Sequence, residues 1–152
     1  MSTDFFDSTS EQQIESFSKS AREMLAGYGL NDVEVKCINY EFNATFSVVT
    51  GSGDKYALRI NLNSTRTLGN MVGEIEFVNF VSRIPGIKVA RPVANSQDSY
   101  ISSIVHPESG RTLHGILYTW LEGEEIGDEP THEQLVRLGA AMARMHQSAR
   151  EF

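Results

Sequence analysis

The 152-residue sequence has almost no cysteine, no targeting segment and no long apolar run. Cys37 is its single cysteine, so neither a disulfide framework nor a cysteine zinc site can form, and a reducing compartment is expected. The N terminus lacks a basic segment followed by an apolar core, which predicts no signal peptide. The longest apolar run, 115–121, is far shorter than the roughly 20 residues that cross a bilayer. These absences predict a cytoplasmic protein without a membrane partner.

Positive charge is scarce as well. The sequence carries 13 lysines and arginines against 20 aspartates and glutamates, a formal net charge of −7. Domains that bind nucleic acid usually present a basic face to the phosphates, so no nucleic-acid partner is expected. The remaining composition, 40% hydrophobic and 22% charged, is that of an ordinary globular domain and excludes disordered or collagen-like structure.

The spacing of the apolar residues predicts the secondary structure of the first half. Helical spacing with one apolar face covers 10–28, where Ser8 and Glu11 are expected to form a capping box and Gly29 to end the helix. The period then changes to two. This change predicts three antiparallel strands in a meander over 32–62.

The second half alternates between helix and strand. A helix is predicted over 66–83, short strands near 89–96 and 101–105, and a more apolar strand over 115–121. An acidic linker then precedes a last helix, which Thr131 is expected to cap. The predicted fold class is therefore α+β. It is an antiparallel sheet of about five strands with a helix packed on it, an N-terminal helix before it, and a linker and one helix after it.

The third predicted strand, 56–60, carries the most informative residues. Residues two apart share one face of a strand, so Ala57 and Arg59 point the same way. A small side chain beside a fixed cation suits a nucleotide, and the kinase signature V-A-I-K has this spacing. Glu74, in the following helix, could pair with Arg59 as the strand–helix ion pair of kinases does. Taken alone, these residues favour a solvated Arg and Glu that have no binding role, because most exposed residues of these types are solvated.

Six segments, which include the strand 56–60 and the surroundings of Glu74, extend this pattern. They are 43–48 (NATFSV), 56–60 (YALRI), 73–78 (GEIEFV), 87–93 (IKVARPV), 117–123 (LYTWLEG) and 138–146 (LGAAMARMH). In order and spacing they resemble the aminoglycoside phosphotransferase/choline kinase superfamily, also called the phosphotransferase enzyme family. The resemblance covers nearly the whole chain from Tyr40. It implies a kinase-like N-lobe over 1–121 (helix 10–28, meander 32–62, helix 66–83, strands 89–121), a hinge over 122–130, and the first helix of a C-lobe over 131–152.

The resemblance also implies roles at the phosphate end of a nucleotide site. A hairpin loop at 41–45 would cover the phosphates, with Asn43 and Thr45 as possible donors. Arg59 would occupy the phosphate-binding lysine position, with Glu74 as its partner. Arginine in place of lysine leaves the choice between ATP and GTP open, because the geometry of a guanidinium differs from that of an ammonium.

At the base end, the resemblance implies an adenine pocket. Ala57 would lie against the base and Tyr118 at the back of the pocket. The backbones of Thr119 and Leu121 would hydrogen-bond the adenine edge. The implied cofactor is ATP, with Mg²⁺ expected through the C-lobe. Trp120 is interpreted as a packing residue, with stacking on the base as the alternative.

The sequence lacks the family's H-x-D-x-x-x-x-N segment and the metal-binding Asp that follows it. Because phosphoryl transfer needs a positioning carboxylate and a metal site, the chain is expected to be a fragment that is inactive alone. The last helix would then keep an exposed apolar stripe, and self-association through it is expected.

The favoured function is the ATP-binding lobe of an enzyme that phosphorylates a hydroxyl of a metabolite or an aminoglycoside-like acceptor. The acidic segment 122–129 either attracts a cationic acceptor or is simply a solvated loop. One alternative is a non-catalytic nucleotide- or protein-binding module from a degenerate kinase-like protein. A second is an unrelated α+β ligand-binding domain in which the arrangement of Ala57 and Arg59 is accidental.

Overall fold

A computed structural model describes residues 5–62 and 67–152, which form two compact units. The first unit contains 5–62 and 92–120, and the second contains 67–91 and 121–152. The described residues include no helix long and apolar enough to cross a membrane.

Helix α1, Ser10–Ala26, begins the first unit after a short 3-10 turn. Its capping box consists of Thr9 and Gln12: the Thr9 hydroxyl accepts the Gln12 backbone N–H at 3.3 Å, and the Gln12 side chain accepts the Thr9 N–H at 3.0 Å. The predicted box of Ser8 and Glu11 is wrong by one residue. Thr9 has the extended backbone that an N-cap requires, whereas the Ser8 hydroxyl donates to the Phe5 carbonyl at 2.6 Å.

Five strands form one antiparallel sheet, as predicted, and their order across the sheet is β1-β2-β3-β5-β4. They are β1 (Val33–Tyr40), β2 (Asn43–Thr50), β3 (Lys55–Asn61), β4 (Ser102–Val105) and β5 (Thr112–Thr119). The strand predicted near 89–96 is wrong. Only an isolated bridge between Pro92 and Tyr118 forms there, because a proline has no N–H to donate to a ladder. The chain then turns where the Asn95 side chain accepts the backbone N–H groups of Gln97 and Ser99.

Both hairpins of the meander are tight. Between β1 and β2 only Glu41 and Phe42 lie outside the strands, so the predicted loop 41–45 is shorter than expected and its last three residues belong to β2. Pairing with β3 accounts for the difference, since Asn43 and Thr45 lie opposite β3 residues. Between β2 and β3, Gly53 adopts a φ of 91°, which favours glycine.

The core of the first unit lies between α1 and one face of the sheet. Gly115 in β5 permits this close packing: a β-carbon there would lie 2.6 Å from the Met24 sulfur. The buried cluster comprises Phe17, Ala21, Met24 and Leu25 of α1 with Ala44, Phe46, Val48, Leu58, Ile60, Leu62, Leu113 and Leu117. Helix α1 therefore covers one face of the sheet. The alternate side chains of each strand project to the opposite face, which α1 does not cover.

A buried histidine joins the turn after β4 to α1. His106 has 0% exposure and lies between the rings of Phe5 and Phe17, with centroids 4.8 and 4.9 Å away. The Ser109 backbone N–H donates to its Nδ1 at 3.3 Å. The same Nδ1 lies 2.8 Å from the Ser109 hydroxyl, and Nε2 lies 2.8 Å from the Ser16 hydroxyl, so both ring nitrogens have hydrogen-bond partners.

The second unit contains helix α2 (Leu68–Val81), helix α3 (His132–Ser148) and a final 3-10 turn (Ala149–Glu151). The predicted cap of α3 is confirmed: the Thr131 hydroxyl accepts the Gln134 backbone N–H at 3.2 Å. Helix α3 buries no residue, and its apolar side chains are about half exposed. Whether the exposed stripe of α3 drives self-association stays a prediction.

Candidate functional site

The two faces of β3 differ as the alternating pattern predicts. Leu58 and Ile60 have 0% exposure and pack in the core under α1. Ala57 and Arg59 lie on the opposite face and are half-buried, and Lys55, two residues before Ala57, lies on that face as well. A small side chain thus separates two cations along one strand.

The neighbouring strands add polar and aromatic side chains to this face. In the register of β2, Thr45 is opposite Arg59 and Ser47 is opposite Ala57. In β5, Tyr118 is opposite Ala57. Because directly opposed residues project to the same face of a sheet, these five side chains form one continuous patch, here called the ligand face.

Arg59 is held in place on the ligand face by an aromatic ring. Its guanidinium carbon lies 5.4 Å from the centroid of the Tyr118 ring. A guanidinium over an aromatic ring is attracted by the electron-rich face of that ring. Tyr118 is only 8% exposed, so packing holds its ring in place. The sequence predicted Tyr118 near the base. The structure places Tyr118 beside both Ala57 and Arg59.

Asn43 lies at the same end of the ligand face as Arg59. It is the first residue of β2, two residues before Thr45, and its partner across the sheet is Asn61 of β3. The structure thus brings Asn43, Thr45 and Arg59 together although the first two are strand rather than loop residues. An amide, a hydroxyl and a guanidinium provide several hydrogen-bond donors within one row, which is the chemistry that an anionic phosphate chain requires.

A small cavity lies at the other end of the ligand face. It has a volume of about 190 Å³ and is lined by Ser47, Val48, Val49, Lys55 and Trp120. The ammonium of Lys55 lies 5.9 Å from the centroid of the Trp120 ring. The walls are thus aliphatic, aromatic and cationic, a lining that suits a flat heteroaromatic ring.

Two of the predicted adenine-binding residues lie in different units. Thr119 is the last residue of β5, opposite Tyr56, and belongs to the unit that carries the ligand face. Leu121 is half exposed and belongs to the second unit. Hydrogen bonding of their backbones to a base stays a prediction.

Glu74 lies in α2, in the second unit. It is half-buried, whereas Glu76, two residues on, is exposed. The predicted ion pair between Glu74 and Arg59 stays a prediction. Among the residues that the structure describes, no group of three His, Cys, Asp or Glu side chains is placed to hold a metal ion.

Sequence reasoning missed Lys55 and Ser47 and assigned Trp120 to packing. A signal for Lys55 was available, because Lys55, Ala57 and Arg59 alternate along one strand. The pairing of Lys55 with Trp120 could not be foreseen from spacing. It depends on the register of β3 against β5, in which Tyr56 lies opposite Thr119.

Comparison with solved structures shows the same fold in two small-molecule kinases. One is the amicoumacin kinase hAmiN in complex with AMP-PNP, Ca²⁺ and Ami, which is 21% identical with a TM-score of 0.72, over 95% of this chain and 43% of that one. The other is the microcompartment-associated aminopropanol kinase, 18% identical with a TM-score of 0.70, over 85% of this chain and 39% of that one. The chain therefore spans less than half the length of either structure.

The family of the chain is shown by its amino-acid sequence, in addition to its fold. No curated protein matches the chain. The family profile described as the phosphotransferase enzyme family matches residues 40–152, well over half of the sequence. The kinase-like fold that the resemblance implied is therefore confirmed, and the chain belongs to the phosphotransferase enzyme family.

Proposed function

We propose that this chain is the ATP-binding N-lobe of a phosphotransferase that transfers the γ-phosphoryl group of ATP to a hydroxyl of a small molecule. The observation that carries the proposal is the ligand face. There the half-buried guanidinium of Arg59 contacts the ring of Tyr118 and lies opposite the hydroxyl of Thr45, and Ala57 is two residues away along β3. Membership of the phosphotransferase enzyme family and the AMP-PNP in the amicoumacin kinase structure support ATP as the nucleotide.

Arg59 binds the α- and β-phosphates in this proposal. A guanidinium can donate two parallel hydrogen bonds to phosphate oxygens, so it both neutralises and orients the chain of phosphates. Thr45 and Asn43, in the same row, donate from their hydroxyl and amide groups. Glu74 orients Arg59 from α2, as the corresponding ion pair does in kinases.

The base lies at the other end of the ligand face. Ala57 has no side chain beyond its β-carbon and lets the ring approach the sheet, with Tyr118 behind it. The backbones of Thr119 and Leu121 hydrogen-bond the adenine edge, and 122–130 forms the hinge. In this assignment 131–152 is the first helix of a C-lobe in the parent protein.

The chemical step depends on groups outside the ligand face. ATP supplies the phosphoryl group, and Mg²⁺ neutralises the charge that the phosphates carry. These 152 residues contain no H-x-D-x-x-x-x-N segment, so we place the positioning carboxylate and the metal ligands in the C-lobe of the parent protein. The 152-residue chain is therefore expected to bind ATP and turn nothing over.

The acceptor class rests on charge and on the structural neighbours. One of them is named for aminopropanol, which is an amino alcohol. An amino alcohol is cationic at neutral pH, and the segment 122–129 of this chain carries five carboxylates, at Glu122, Glu124, Glu125, Asp128 and Glu129. We infer an amine-bearing small alcohol as the acceptor of the parent protein.

Calorimetric titration with ATP tests the nucleotide assignment. Arg59→Glu should abolish the binding seen with the wild-type chain, because it replaces the phosphate-binding cation by a repelling carboxylate. Lys19→Glu is the matched control. It reverses one charge on α1, the helix that covers the opposite face of the sheet, and should leave the affinity unchanged. Equal affinity of wild type and Arg59→Glu would sink the assignment.

A second candidate function is a non-catalytic nucleotide-binding module, which the absence of the H-x-D-x-x-x-x-N segment from these 152 residues favours. The reading frame after codon 152 separates the two candidates. An H-x-D-x-x-x-x-N segment followed by a further Asp supports the enzyme. A stop codon at that point, together with measurable ATP binding, supports the module.

A further inference from the structure

Lys55 and Trp120 form a pair that none of the assigned nucleotide contacts uses. Lys55 is the first residue of β3 and is exposed, and Trp120 directly follows β5 and is half-buried. Their side chains lie on the cavity of about 190 Å³, with the ammonium 5.9 Å from the indole centroid.

The position of the pair along β3 identifies the part of a nucleotide that it can reach. Lys55, Ala57 and Arg59 share a face in steps of two residues, or about 6.6 Å per step at the usual rise of a strand. The two cations are therefore about 13 Å apart along the strand. With the phosphates on Arg59 and the base at Ala57, Lys55 lies beyond the base and away from the phosphates.

The lining of the cavity fits this end of the ligand. Val49 lies opposite Lys55 in the sheet and supplies an aliphatic wall. Trp120 supplies an aromatic surface, and the ammonium of Lys55 supplies a cation that already faces a π-system. A purine ring that binds beside these groups presents the same kind of face to the ammonium as the indole does, so the cation can hold the base by the same attraction.

We propose that Lys55 and Trp120 clamp the outer edge of the nucleotide base, with Lys55 acting as a positioning residue for the base and not for the phosphates. The inference rests on the proposed function, because it takes the ligand face as a nucleotide site. It adds a second cation with a separate role: Arg59 determines the affinity for the phosphates, and Lys55 determines the affinity for the ring.

Titrations with adenosine, ADP and ATP separate these two roles. Lys55→Met keeps the length and the apolar stem of the side chain but removes its charge. An exposed cation–π contact corresponds to about a two- to fivefold change in affinity, so Lys55→Met should weaken binding of all three ligands by that common factor. Arg59→Met should weaken ATP most, ADP less and adenosine not at all.

Trp120 provides a direct readout, because it is the single tryptophan of the chain. Adenosine should change its fluorescence in the wild type as ATP does, and Trp120→Leu should lose affinity for adenosine to the same extent as for ATP. Lys19→Met, which removes a lysine from α1 on the other side of the sheet, is the control and should behave as wild type.

The outcomes distinguish the clamp from the nucleotide site itself. An effect of Lys55→Met that grows from adenosine to ATP would place the ammonium at the phosphates and overturn the clamp. Unchanged affinities in Lys55→Met, with the Arg59→Met pattern intact, would overturn the clamp and leave the ATP site standing. If the wild-type chain binds none of the three ligands, the proposed function and the clamp fail together.

Discussion

The titration of His106 is expected to lower the free energy of unfolding of the first unit at acidic pH. Burial lowers the pKa of His106, and the nearby Glu108 carboxylate only partly opposes this effect. The Ser109 N–H points at Nδ1, which carries a proton in the charged ring. The folded unit therefore favours the neutral ring, whereas the unfolded chain takes up a proton as the pH falls through about 6.5.

The sign and size of the effect follow from linkage. Above pH 6.5 both states are neutral, and His106 gives no pH dependence. Below it the unfolded state binds more protons than the folded state, so the free energy of unfolding decreases as the pH falls. In the limit where the folded ring stays neutral throughout, the loss between pH 7.5 and 5.5 is about 1 kcal/mol, and it is smaller if the folded ring also takes up a proton in this range.

Denaturant unfolding followed by Trp120 fluorescence measures this loss, because Trp120 belongs to the same unit as His106. His106→Gln cannot titrate, so it should lose less stability than the wild type between pH 7.5 and 5.5, by at most about 1 kcal/mol. At pH 7.5 it should itself be less stable by about 1–3 kcal/mol, because the hydrogen bonds of Ser16 and Ser109 are disturbed. His146→Gln changes an exposed histidine of α3 and should keep the wild-type pH dependence. Parallel acid losses in wild type and His106→Gln would refute the assignment.

Three further predictions concern packing, capping and association. Gly115→Ala should lower the free energy of unfolding by about 1–3 kcal/mol, since its β-carbon would meet the buried Met24 sulfur at 2.6 Å; Met24→Ala is itself destabilising, but Gly115→Ala should cost less in that background than in the wild type in denaturant titrations, and simple additivity of the two losses would contradict the clash. Thr9→Ala should lower the free energy of unfolding by about 1 kcal/mol because it removes the cap of α1, and Ser8→Ala should lower it less. A larger loss in Ser8→Ala than in Thr9→Ala in thermal melts would support the predicted box of Ser8 and Glu11. The exposed stripe of α3 should make the chain associate at high concentration, and Met142→Glu should suppress this in sedimentation velocity runs; a wild-type chain that stays monomeric would disprove it.

The parts of the fold that the sequence predicted are those in which one periodic signal dominates. Alternation along 55–61 determined both faces of β3, because a one-residue shift would bury Arg59 and expose Leu58. The cap of α1 was placed one residue early because Ser8 and Thr9 are both good N-caps, followed three residues on by Glu11 and Gln12. Backbone angles decide between them, and residue types do not contain that information.

Other differences arose where tertiary pairing overrides local preference. Asn43 and Thr45 read as loop residues because asparagine favours turns, but hydrogen bonding to β3 draws both into β2. Near 89–96, where a strand was predicted, Pro92 limits the contact with β5 to a single bridge. The cation–π contact of Arg59 with Tyr118 joins residues far apart in sequence, and only the register of β3 against β5 reveals it.

The register of the sheet therefore specifies the candidate site as well as the core. Gly53, with its φ of 91°, closes the hairpin that sets Thr45 opposite Arg59 and Ser47 opposite Ala57. Since side chains alternate between the faces, the same pairing that places Phe46 and Leu58 under α1 places the donors and the cation together on the ligand face. A shift of one residue would destroy both arrangements at once. The stability of the core thus keeps Arg59 on the ligand face, and the polar residues of the site need no separate device to hold them in register.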